Sequence, residues 1–230
     1  VGILDADIYG PSQAQMLGVE EGVRPQAAAD NKFLPLEAHG IQAMSMAFMV
    51  NTRDAMVWRG PMVMGALEQM MREVAWGELD MLVVDMPPGT GDAQLTMAQR
   101  VPLAGAVIVS TPQDIALIDA RKGMSMFAKV NVPVLGIIEN MSTFICPKCG
   151  ERTDIFGNGG ARAEAERLGC DFLGEIPLDV AIRVTSDSGQ PITASEPDGP
   201  LAAAYRDVAS TVLARTSGAT TRPAPNISMD

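Results

Sequence analysis

The 230 residues carry 17 Lys and Arg against 28 Asp and Glu, a formal charge of −11, and 47% of them are hydrophobic. That suits one globular domain burying roughly 70% of its unfolded surface and excludes a disordered or fibrous chain. No basic run suggests a nucleic-acid partner, no 18-residue apolar stretch suggests a membrane span, and three cysteines make no secreted disulfide framework, so a cytoplasmic protein is expected.

In chain order, "VGILDAD" (1–7) reads as a strand that turns polar at Asp5 and Asp7. It opens on Val1, inside an apolar run and without an initiating methionine, as a sequence cut away at its beginning would. The only histidine, His39, lies in "LEAHGIQ", a hairpin or strand-entry turn where a solvated or capping role is expected. "IQAMSMAF" (41–48) is the next strand, and a helix follows over 61–76. Its "MVMGALEQMM" spaces apolar side chains as a buried helix face does, so the 16 methionines read as core filler rather than an adaptable binding surface.

"MLVVDMP" (81–87) is a third strand and leads through the Gly-rich "PPGTGD" into a helix over 92–100. The strand "AGAVIVST" (104–111), a helix over 114–129 and the strand "VPVLGIIEN" (132–140) come next. Beyond "FICPKCG" lie a helix at 160–168, the strand "DFLGEIP" (171–177) and a helix at 200–215. "STPQD" and "NGGA" open their helices with Pro, Asp and Gly in the expected places. Residues 216–230 lack any apolar period and read as a disordered tail. Strands alternating with helices imply an α/β fold with a mostly parallel, doubly wound sheet, formed by one domain over 1–215 that includes the 144–158 C-x-x-C segment.

Almost every strand ends in polar residues: Asp5 and Asp7, Asp85, Ser110 and Thr111, Glu139 and Asn140, and Asp179 just past Pro177. Open parallel sheets bind ligands outside the carboxyl ends of their strands, so that edge is a site. Four apolar residues ending in Asp85 resemble a Walker B element, whose carboxylate holds hydrated magnesium. The amides of the Gly89–Thr90–Gly91–Asp92 turn can face a γ-phosphate and move when it leaves; a plain βα turn capped by Asp92 is the alternative. Asp5 and Asp7 can share a divalent metal or orient a water for attack, and the Asn140 amide can read a purine edge. Together these groups read as a nucleoside triphosphatase.

"LDADIYGPS", "WRGPMVMGAL", "DMPPGTGDAQLT", "STPQDIALIDARKGMSMF", "IENMSTFICPKCG" and "IFGNGGARAEAERLG" with "FLGEIPLD" and "DSGQPI" resemble, in order from residue 1 to about 200, the Mrp-type (ApbC-like) iron–sulfur cluster carrier ATPases. The resemblance implies a deviant Walker A P-loop NTPase that binds ATP with Mg2+. It matches Asp7 to the residue positioning the attacking water and sets Asp5 beside metal and phosphates. It matches Asp85 to Walker B, Gly89 to Asp92 to switch II, Asn140 to the adenine reader and the Pro177–Asp179 turn to the loop closing over the base. It also implies a homodimer in which Cys146 and Cys149 of each subunit complete a four-thiolate set for a bridging 4Fe-4S cluster, received from iron–sulfur scaffold proteins and passed to recipient apoproteins.

Two other readings stand beside it. A partition- or division-site-type positioning ATPase would need a membrane-targeting helix or a basic face. A single-chain zinc module with an inactive nucleotide site would need His39 and Cys170 to complete the ligand set. Cys170, in "RLGCDFLG", reads instead as a small buried hydrophobe, and zinc can occupy the four-sulfur site in an aerobic sample. The family's K-G-G-x-G-K-S/T phosphate loop is not in these residues. A chain without that loop and its strand is expected to leave two sheet edges open, to fold weakly and not to hydrolyse ATP by itself.

Overall fold

All six apolar runs form strands, and the periodic stretches between them form helices, in a computed structural model that describes residues 1–28, 32–49 and 60–216. The first half contains β1 (Gly2–Asp5), α1 (Gln13–Met16), β2 (Leu36–Ala38), β3 (Ile41–Ser45), a 3-10 turn (Met46–Phe48), α2 (Gly60–Arg72), β4 (Leu82–Asp85) and α3 (Asp92–Arg100). The second contains β5 (Ala106–Ser110), α4 (Asp114–Lys129), β6 (Val134–Ile145), β7 (Arg152–Thr153), α5 (Gly160–Leu168), β8 (Phe172–Leu178), α6 (Val180–Asp187), α7 (Ile192–Ser195) and α8 (Pro200–Thr216). The expected disordered tail and the first residues of "WRGPMVMGAL" lie outside the described residues.

The strands are those of the expected α/β fold, and most of them pair in parallel. They form two four-stranded sheets, ordered β2-β3-β1-β4 and β5-β6-β7 with β8 also on β6. Among the described residues β4 pairs with β1 alone and β5 with β6 alone. Both edge strands leave apolar side chains in water: Leu82 is 38% exposed, Val83 44% and Val109 60%. The described chain divides into two compact units, one of Val1–Pro88, Asp92–Gln94 and Val184–Ser195, the other of Gly89–Gly91, Leu95–Arg183 and the residues from Glu196 onward.

In the first unit β1 runs parallel to both neighbours, β3 and β4. Its alternate residues, with Met44, Leu67, Met70 and Phe48, make the core. The methionine-rich α2 therefore packs as core filler where Leu67 and Met70 are concerned, while Met62 faces solvent. His39 and Gly40, both with positive φ, form the two-residue turn of a β2–β3 hairpin whose twist suits such geometry. His39 Nε2 lies 3.0 Å from the Gly189 carbonyl oxygen, so the single histidine is a satisfied structural group. Gly189 and Gly18 approach so closely that a Cβ on Gly189 would stand 2.3 Å from the Gly18 Cα, and both have positive φ, which requires glycine twice over.

In the second unit β5, β6 and β8 are parallel, and α4 and α5 bury Leu117, Phe127, Ala161 and Ala165 against Ile108 and Ile137. Arg121 on α4 and Arg167 on α5 both bind the buried Glu164 carboxylate, Arg121 through two N–H donors at 2.7 and 2.9 Å. Cys170 packs beside this core as a half-buried apolar group, and burial pushes its thiol up. β6 runs past Asn140 to Ile145 through a register shift between Asn140 and Phe144, where Met141 takes a φ of 56°. An irregularity of that kind re-aims the strand. Here it carries the chain on to Cys146.

Candidate functional site

Parallel pairing in register sets the ends of three strands of the first unit level: Asp5 pairs with Ser45 on one side and with Asp85 on the other. The three apolar residues before each aspartate hold the strand in the sheet and deliver its carboxylate to the same edge. Asp5 is fully buried there and accepts from the Asp7 amide (3.2 Å), the Gln13 amide (3.2 Å) and the Ser45 hydroxyl (3.0 Å). Burial pushes its carboxyl above the ordinary value, those donors pull it back, and the Asp85 charge adds a smaller upward push. Its hydrogen-bonding capacity is thus spent inside the fold.

Asp7 is half-buried, and its Oδ1 accepts from the amides of Tyr9 (3.2 Å) and Gly10 (3.1 Å), closing the turn after β1. Asp85 at the tip of β4 accepts from the Gln13 side-chain amide at 2.6 Å. Gln13 was not among the residues singled out from sequence. It joins two strand ends because its main chain reaches Asp5 and its side chain Asp85, a contact across 72 positions that no local pattern signals.

Beyond Asp85 the "PPGTGD" segment is the expected turn into a helix. Gly89 has φ 95°, Gly91 caps α3 in extended conformation, and the Gln94 side-chain amide donates to the Pro88 carbonyl at 2.5 Å. Gly89, Thr90 and Gly91 are exposed, with their main chain accessible to a ligand, and Asp92 is the first residue of α3.

In the second unit Ser110, Glu139 and Glu175 stand level across β5, β6 and β8, and Asn140 lies opposite Ile176, the neighbour of Pro177. Asn140 Oδ1 accepts from the Met141 amide at 3.0 Å. Asp179 accepts from the Ala181 amide at 2.7 Å, at the start of α6. Glu139, named from sequence only as a polar strand end, is fully buried and accepts from the amides of Gly159 (2.9 Å) and Ala161 (2.8 Å) at the N-terminus of α5.

The C-x-x-C segment is a tight knuckle between β6 and β7. The Cys146 amide donates to the Glu151 carbonyl (2.9 Å), and the Gly150 amide, from a residue with φ 74°, returns to the Cys146 carbonyl (2.8 Å). The Cys149 and Lys148 amides point at the Cys146 sulfur, and with the Cys149 thiol they hold its ionisation below the usual thiol range. Cys149 is exposed and Cys146 half-buried, an accessible thiol pair of the kind whose ionised form soft metals bind. Among the described residues no group of three or more His, Cys, Asp or Glu is arranged to hold a metal ion. The hard carboxylates Asp7 and Asp85 suit a magnesium ion that keeps most of its waters and takes phosphate oxygens for the rest.

The family model described as the NUBPL iron-transfer P-loop NTPase of the ParA group matches residues 1–213. An iron-sulfur cluster carrier protein of Pseudomonas fragi is 54% identical over 211 residues, which is 92% of this chain and 74% of that protein. The iron-sulfur cluster transfer protein NUBPL of Dictyostelium discoideum is 54% identical over 213 residues, 93% of this chain and 66% of its own length. Other curated relatives are longer, and the chain spans 58% of the Escherichia coli carrier protein. Among solved structures, a nucleotide-binding protein from Archaeoglobus fulgidus in complex with ADP superposes with a TM-score of 0.72 at 39% identity, over 87% of this chain and 76% of that one.

Proposed function

The chain belongs to the NUBPL iron-transfer P-loop NTPases, and on that footing we propose that it carries iron–sulfur clusters to apoproteins as a homodimer that binds and hydrolyses ATP with magnesium. The observation that carries this reading is the knuckle. Two thiols, one of them eased toward ionisation by main-chain amides, stand ready with no third ligand beside them among the described residues. A second copy brings two more, which completes the Cys₄ set of a 4Fe-4S cargo. A cargo held by two exposed rims leaves when the rims part, and that suits a carrier. A single-chain zinc module has no such account of its missing ligands.

With nucleotide bound, Asp85 would hold the hydrated magnesium ion, which would neutralise phosphate charge, and Asp7 would orient the attacking water. The buried Asp5 acts on the geometry of the segment between them, since it fixes the amides of Asp7 and Gln13. The Gly89–Asp92 turn follows the γ-phosphate, Asn140 reads the base edge, and Pro177 packs at the base. The ADP held by the Archaeoglobus fulgidus structure supports nucleotide binding by the same fold. No helix among the described residues is long and apolar enough to cross a membrane, and the free thiols fit the cytoplasm, where the carrier is placed in this proposal.

Anaerobic reconstitution of the protein in its full natural length with iron and sulfide tests the central point. About two irons per chain are expected, lost in Cys146→Ser and in Cys149→Ser and kept in Cys170→Ser. One zinc per monomer, or no metal in the absence of oxygen, refutes the reading.

A further inference from the structure

We propose that Gln13 is a positioning residue for Asp85, its side-chain amide fixing the carboxylate so that the other oxygen faces the hydration shell of the nucleotide's magnesium ion. The inference rests on the proposed role of Asp85 and adds a residue that neither the sequence pattern nor the matched motifs single out. Its basis is geometric. Gln13 Nε2 donates to Asp85 Oδ2 at 2.6 Å, while the Gln13 main-chain N–H donates to Asp5 Oδ2 at 3.2 Å. Asp5 is itself immobile: fully buried, inside the sheet register, and bound to Ser45 and to the Asp7 amide. The backbone from which the Gln13 side chain springs is therefore anchored to one strand end, and its amide reaches the next.

A carboxylate at a strand tip rotates broadly about its terminal torsion, because that torsion joins tetrahedral to planar carbon. A short bond to one oxygen removes this freedom and sets where the other oxygen points. Groups that orient a metal's own ligand change its metal affinity by roughly 10- to 100-fold when they are removed, and Gln13, acting on a carboxylate that would meet the ion through a bound water, belongs at the low end of that range. The same bond joins the segment carrying Asp7 to the strand carrying Asp85, so water-orienting and metal-holding groups share one frame. A glutamine that served only to start α1 would not need its side chain on a partner 72 residues away; the four residues of that helix have no apolar face to protect.

Gln13→Met keeps the length of the side chain and removes the donor. In the protein at full natural length, affinity for a non-hydrolysable ATP analogue is measured by calorimetry with and without Mg2+, in wild type and variant. The proposal expects the gain in affinity conferred by Mg2+ to shrink about tenfold or more in Gln13→Met while metal-free binding stays unchanged, which also shows that the variant is folded. An equal Mg2+ gain in both proteins overturns the role of Gln13 and leaves that of Asp85 standing. Loss of binding with and without metal assigns Gln13 to structure alone and overturns it as well. A wild-type protein indifferent to Mg2+ overturns the reading of Asp85 together with this inference.

Discussion

Glu139 and Asp5 are both acidic, both fully buried and both on parallel strands, Asp5 at the end of β1 and Glu139 midway along β6, yet their surroundings give them different work. Glu139 faces the first amides of a nine-residue helix, where two N–H donors and the helix dipole favour negative charge. It ties β6 to α5. Asp5 faces the turns that follow its own strand, and so sets the backbone from which Asp7 and Gln13 act. Glu139→Gln sets an amide N–H against a backbone N–H and removes the charge. It is expected to destabilise the fold by about 1–3 kcal/mol, read as a lower denaturant midpoint at unchanged slope. Reading the strand tips as polar was within reach of sequence, because apolar runs ending in Asp or Glu are visible as letters. Which tip serves the fold and which faces a ligand depended on hydrogen bonds between residues 8 to 72 positions apart.

At the scale of elements, the contact between α4 and α5 turns on one buried carboxylate held by two arginines. Arg121 and Arg167 hold Glu164 down to about 2, from an ordinary 4.5. A carboxyl lowered by folding stabilises the protein above its unfolded value and loses that contribution as pH falls toward the folded one. Glu164→Gln should therefore cost on the order of 1–2 kcal/mol at neutral pH, modest because both arginines are about half exposed to screening water. The difference from wild type should be flat above about pH 5.5 and shrink between pH 4.5 and 2, followed by urea unfolding at each pH. The long elements were legible: β1, β4, β5, α3 and α4 lie where apolar runs and helical periods put them. β2 and β7, of three and two residues, were not, since such short strands carry no period and exist only by pairing with β3 and β6. The extension of β6 to Ile145 was hidden by the irregularity after Asn140, which breaks the alternation that sequence reading follows.

For the molecule as a whole, a net charge of −11 and the two knuckle thiols, Cys146 and Cys149, bear on assembly. In the proposed dimer the shared cargo would offset the repulsion between two such acidic copies. Sedimentation of the anaerobically loaded protein is expected to show twice the mass of the chelator-treated protein, with Cys149→Ser remaining at the lower value under both conditions. A loaded species of single mass would refute the shared site. The class of fold, the order of its longer elements, the family and the thiol pair were legible in the sequence, because these rest on periodicity and on short contiguous motifs. What the folded chain added is that Asp5 is consumed by internal donors, that His39 is a structural group and that Gln13 reaches Asp85. The reason is physical: pairing and hydrogen bonding across long stretches of chain depend on which surfaces meet once apolar area is buried, and no local run of residues encodes that meeting.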